Sequence, residues 1–185
     1  MTGWDLPKET VIGGRIYHLH TDYRRILEIF SCLQEESYPE FLRWYMALAL
    51  FYEEPIPDED FEEAAEYFRW FVNCGREETK DPGPQLISWQ QDAQEIVADV
   101  NKVAGQEIRA LPYLHWWTFL SWFHGIGEGN LSTLVSIRDK LHRGKKLESF
   151  EQEYYRRNRS RVTLPKKYSA SELAEQERLK ALLDQ

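Results

Sequence analysis

The sequence predicts a mainly α-helical protein: a single helical-bundle domain with a small N-terminal β-hairpin and a C-terminal helical tail. Three observations predict it. The run Leu114–Gly125 places Trp116, Trp117 and Trp122 in a short helix that is apolar almost all round, with His115, Thr118, Ser121 and His124 drifting around the cylinder. Apolar residues recur at helical spacing in most other segments. The one strand signal is a pair of short apolar-alternating runs around Gly13-Gly14, which supplies the positive φ angles of a tight hairpin turn.

Taken in order, the elements follow from local chemistry. Thr10–Leu19 forms the hairpin, and Thr21 or Asp22 caps a helix with Tyr23, Ile26, Leu27, Phe30 and Leu33 on one stripe. A second helix starts near Pro39 and turns Phe41, Leu42, Tyr45, Leu48, Ala49 and Tyr52 inward, leaving Glu40 and Arg43 to mark a wet side. Pro55 and Pro57 break the chain before Asp58 opens a third helix, its acids in the first turns where the helix dipole favours them. Gly75 ends it.

Asp81-Pro82-Gly83-Pro84 marks a loop, after which Ser88 and Gln91 predict the start of a fourth helix. Its expected inner face is Trp89, Ala93, Ile96, Val97, Val100 and Val103. The tryptophan helix runs from Pro112 to Gly125, with Trp116, Trp117, Phe119, Leu120, Trp122 and Phe123 as its core set. Asn130 caps the next helix, and a charged helix covers Glu148 to Arg161. Residues 1–157 thus form the helical domain, and 158–185 a charged tail with a terminal helix of its own behind the capping box of Ser169 and Glu172.

Composition narrows the function. The apolar run around Leu111–Ile126 falls short of the roughly 20 residues that span a bilayer, and the N-terminus lacks a basic flank followed by an apolar run. A cytoplasmic protein without membrane contact is expected. Cys32 and Cys74 stand apart, without metal-ligand spacing, as small core residues.

The net charge of −8 conceals an asymmetry, because residues 1–100 hold 8 basic and 21 acidic side chains whereas residues 101–185 hold 15 and 10. Either half could steer a partner of opposite charge. Candidate contacts on the acidic side are Glu59, Glu62 and Glu63, with Trp44 and Trp70 flanking the inward stripes. On the basic side they are Arg156, Arg157, Arg159 and Arg161, which with Tyr154, Tyr155 and Tyr168 offer the charge and stacking surface of a nucleic-acid-binding or packaging protein. Net acidity argues against that alternative.

Other constellations read as structure. His18, His20 and Asp22 alternate like metal ligands but lack a nearby third imidazole or thiolate. The Gly125, Gly127, Gly129 loop follows a helix, unlike a dinucleotide loop, which follows a strand. No nucleophile, base and orienter set is present, so no enzyme, cofactor or metal is expected.

A resemblance adds to this. The Gly-turn hairpin, Thr21-Asp22-Tyr23-Arg24 opening a helix, the Asp99 region ahead of Gly105, Leu114-His115-Trp116-Trp117-Thr118-Phe119 and the later Ile137-Arg138 resemble, over residues 10–157, a small family of bacteriophage tail-module proteins. These are encoded upstream of the tape measure in long-tailed phages of Gram-positive bacteria and their prophages. The resemblance implies a non-enzymatic tail assembly chaperone that coats the tape measure protein and recruits tail tube protein around it. Self-association would suit such a coat.

Overall fold

The computed structural model describes residues 4–76 and 83–164; the expected terminal helix behind Ser169 lies outside them. Strands β1 (Glu9–Ile12) and β2 (Arg15–His18) pair antiparallel with Ile12 opposite Arg15 and Thr10 opposite Tyr17. Gly13 and Gly14 take φ of +54° and +76°, the two positive angles of a type I′ turn. Ile12 and Tyr17 face the core, whereas the cross-strand pair Val11 and Ile16 faces outward.

Helix α1 (Tyr23–Leu33) begins on Asp22, whose carboxylate accepts from the Arg24 backbone N–H. It packs beside α2 (Glu40–Phe51), which Pro39 precedes. A 3-10 turn at Asp58–Asp60 leads into α3 (Phe61–Val72), and Gly75, at φ +75°, donates back to the Trp70 carbonyl to close that helix. Helix α4 (Ala93–Ala104) starts later than the Ser88 signal implies. Ser88 does cap Gln91, but only within a turn in which the Asp92 carboxylate also accepts from the Ser88 N–H.

Helix α5 (Trp116–His124) carries the tryptophan run and starts on His115 rather than Pro112. Beyond it come α6 (Asn130–His142), α7 (Ser149–Arg157) and the short α8 (Arg159–Val162). The single charged helix expected over Glu148–Arg161 is therefore broken at Asn158. Among the described residues no helix is long and apolar enough to cross a membrane.

The core is aromatic. Phe51 meets Phe68 and Phe71 at ring-centroid distances of 4.9 and 5.0 Å, while Trp116 touches Phe30, Trp89 and Phe119. The Trp116 and Trp117 indoles donate to the Val72 and Phe71 carbonyls at 3.0 and 2.8 Å, tying α5 to the end of α3, where the Phe71 carbonyl also accepts from the Cys74 N–H. Helix α5 is less enclosed than its composition suggests: Trp116, Phe119 and Leu120 are buried, but Trp117, Trp122 and Phe123 are only partly so. Neighbouring helices cover one side of it, and Ser121 and His124 meet solvent on the other.

Helix α4 departs most from expectation. Asp92, Glu95 and Asp99, spaced along one face from the helix cap onward, are all buried, and Val103 is instead 41% exposed. Each acid has a partner distant in sequence. Asp92 takes both Nη atoms of Arg138, Glu95 pairs with Arg161, and Asp99 accepts from the Leu131 N–H at the start of α6 as well as from Lys102. Burying acids is tolerated because each is met by charge or by N–H donors.

Candidate partner-binding surface

Only Glu40 and Arg43 are charged in α2, and Arg43 turns back to donate to the Leu33 carbonyl at 2.8 Å. The solvent side is thus left to apolar groups. Phe41 is 72% exposed, Tyr45 56% and Tyr38, just before the helix, 47%; Ala49 is exposed beside them and Leu42 half-buried. This reverses the expected orientation of Phe41, Tyr45 and Ala49. A helix apolar on every side has no periodicity to orient it, and here the rings of Trp44 and Phe51 settle against Phe68, carrying Ala47 and Leu48 inward.

Acids surround this face along the chain. Residues 28–66 contain twelve carboxylates against the lone Arg43. Glu35, Glu36 and Glu40 lie exposed at the start of α2, and Glu53 lies exposed just past its end. The predicted contacts Glu59, Glu62 and Glu63 are exposed on the 3-10 turn and α3; Glu63 also accepts from the Gly13 N–H at 3.1 Å, tying the hairpin turn to that helix.

Trp44 and Trp70 are half-buried within the aromatic packing. Trp44 stands edge-on to Phe68 with the Arg69 guanidinium 4.6 Å from its ring, and Trp70 meets Tyr67 and Trp117.

The four arginines do not form one basic surface. Arg161 pairs with buried Glu95, and Arg157 pairs with Glu153 one turn earlier on α7. Among the described residues Arg156 and Arg159 have no ionic partner. Residues 158–164, assigned from sequence to the tail, pack onto the bundle: Val162 is buried, Arg138 donates to the Arg161 and Val162 carbonyls, and Gln91 reaches those of Ser160, Arg161 and Thr163.

His18 and Asp22 are committed to different partners. The Glu54 carboxylate accepts from the His18 N–H and bonds its Nδ1 at 2.6 Å, while Asp22 is committed to α1, Arg24 and the Leu114 N–H. That hydrogen bond first, and the charges of Glu54, Glu53 and Glu9 with it, raise the His18 pKa above its ordinary 6.5. Among the described residues no group of three or more metal-ligating side chains is placed to hold an ion.

The motifs behind the resemblance meet in space. The Trp116 N–H donates to the Thr21 carbonyl, the Tyr23 N–H to that of Leu114, and the Tyr23 ring stacks on Phe119 at 4.8 Å. His115 accepts from the Trp117 N–H through Nδ1, leaving Nε2 to donate to the Pro7 carbonyl. Desolvation holds its pKa below the ordinary value, so the ring is neutral. Signature residues therefore build the scaffold, while the exposed apolar side of α2 carries none of them.

Comparison with known proteins gives one family, described as Bacteriophage Gp15 protein, which matches residues 5–164. No curated protein and no solved structure matches the chain.

Proposed function

The chain belongs to the Bacteriophage Gp15 protein family, and from that premise we propose that it is a tail assembly chaperone that binds the tape measure protein during tail morphogenesis. It works by binding rather than by catalysis, in the host cytoplasm, and tail tube protein is its second partner. The observation that carries this reading is the apolar solvent side of α2, where Tyr38, Phe41 and Tyr45 expose their rings. Exposed apolar surface on a soluble domain marks an interaction site, and a long helical protein awaiting enclosure has apolar stripes to cover.

The test is co-expression of the full chain with the tape measure encoded beside it, followed by co-purification and size-exclusion chromatography. A complex of the two is the expected result. If both proteins are folded and never associate, the reading fails.

A further inference from the structure

We propose that the solvent side of α2 is a groove-free docking strip for one amphipathic helix whose apolar stripe is flanked by lysines or arginines. The inference rests on the chaperone reading only for the partner's origin, since the chemistry of the strip is independent of it. Twelve residues of α2 rise about 18 Å at 1.5 Å each. Along that length the outward positions are Phe41, Leu42, Tyr45 and Ala49, with Tyr38 extending the strip at its start. An apolar surface of this length matches three turns of a helix read through i, i+3, i+4 and i+7 anchors.

Charge selects among the helices that could lie there. The strip begins beside Glu35, Glu36 and Glu40 and ends at Glu53, the neighbouring Glu54 being turned onto His18. Arg43, the one cation in this stretch of sequence, is turned onto the Leu33 carbonyl, and Arg69 of α3 lies against the Trp44 ring, so among the described residues neither pairs with these acids. A second copy of this chain, docking strip to strip, would set these acids against each other, and like charges across an interface are unfavourable. A partner helix with basic residues at both ends of its apolar stripe neutralises them instead. Tyr38, Phe41 and Tyr45 supply the aromatic anchors that carry most binding energy in such contacts.

The test uses the full chain and two synthetic helical peptides with one leucine stripe, flanked by lysines in one and by glutamates in the other. Binding is read by fluorescence anisotropy. The lysine peptide is expected to bind, and the glutamate peptide to bind at least about tenfold more weakly. Phe41→Ser with Tyr45→Ser should weaken the lysine peptide by about tenfold or more; these side chains are exposed, so folding is not at stake. Glu36→Lys with Glu40→Lys should narrow the preference between the peptides.

Lysine-peptide binding that survives Phe41→Ser with Tyr45→Ser would be charge attraction alone and overturns the proposal. A wild-type dimer that Phe41→Ser dissolves, with no peptide bound, assigns the strip to a second copy and overturns it. So does peptide binding that appears only when Leu179→Asp and Leu183→Asp are introduced into the apolar positions of the segment that follows Ser169, which assigns the strip to the chain's own C-terminal residues. Should the double serine variant still co-purify with the tape measure, the docking strip falls and the chaperone reading stands.

Discussion

Arg138 and Asp92 meet as a two-toothed ion pair, Nη1 to Oδ2 at 2.6 Å and Nη2 to Oδ1 at 2.8 Å, with side chains only 4% and 1% exposed. The same guanidinium donates to the carbonyls of Leu86, Arg161 and Val162. Arg138→Leu strands a buried carboxylate and three carbonyls, and is expected to cost about 3–5 kcal/mol in urea unfolding. The double variant Asp92→Leu, Arg138→Leu removes the unpaired charge and should lose less than the two single losses added together. Strict additivity would show that the two do not act as a pair.

His18 and His115 should titrate in opposite directions. His18 is raised by Glu54, so its contribution to stability is present below pH 6.5 and is lost as pH rises through its folded value. His115 is lowered by burial, so its contribution is present above pH 6.5 and is lost as the pH falls. NMR titration of the ring protons checks both. Glu54→Gln should return His18 toward 6.5 and leave His115 unmoved; a His18 midpoint indifferent to Glu54 would refute the assignment.

The hairpin turn separates strain from crowding. Both Gly13 and Gly14 have positive φ, but a Cβ on Gly13 would lie 2.4 Å from the Asp60 carboxylate oxygen, whereas one on Gly14 meets nothing within 4 Å. Gly14→Ala should cost about 1 kcal/mol from backbone strain, and Gly13→Ala measurably more. Adding Asp60→Ala should recover the excess. Equal losses at the two glycines would show that Asp60 gives way freely.

Two faces of α2 should respond differently to truncation. Phe51→Ala opens a cavity between α2 and α3 and is expected to cost about 3–5 kcal/mol. Phe41→Ser removes a ring that is 72% exposed and should change stability by no more than about 0.5 kcal/mol. Chemical denaturation of both variants checks the contrast, and a large loss at Phe41 would place that ring in the core.

Nucleic-acid binding through the basic segment is a weaker alternative, because Arg157 and Arg161 are already paired within the molecule. DNA titrated at low salt should show no tight binding. Tight binding that falls steeply with salt, and falls again on Arg156→Ala with Arg159→Ala, would favour the alternative.

What could be read from the sequence follows the range of the interactions. Gly13-Gly14 defines its hairpin and Asp22 its helix start because both act within a few residues. Helix α2 carries no orienting pattern because its residues are apolar all round, and its packing against α1 and against Phe68 and Phe71 of α3 decides which side is inner. The buried acids of α4 were hidden for the same reason: Asp92 and Glu95 find Arg138 and Arg161 far along the chain. The candidate surface was legible in charge but not in shape. Its acids stand out in composition, whereas the exposure of Tyr38, Phe41 and Tyr45 emerges only when α2 is packed.

Arg138 and Gln91 hold residues 160–163 by main-chain oxygens, a form of grip indifferent to which side chains those residues carry. The stretch up to Leu164 is consequently held by donors that the body of the bundle supplies. Substitutions at exposed Ser160 or Thr163 would leave that mooring in place.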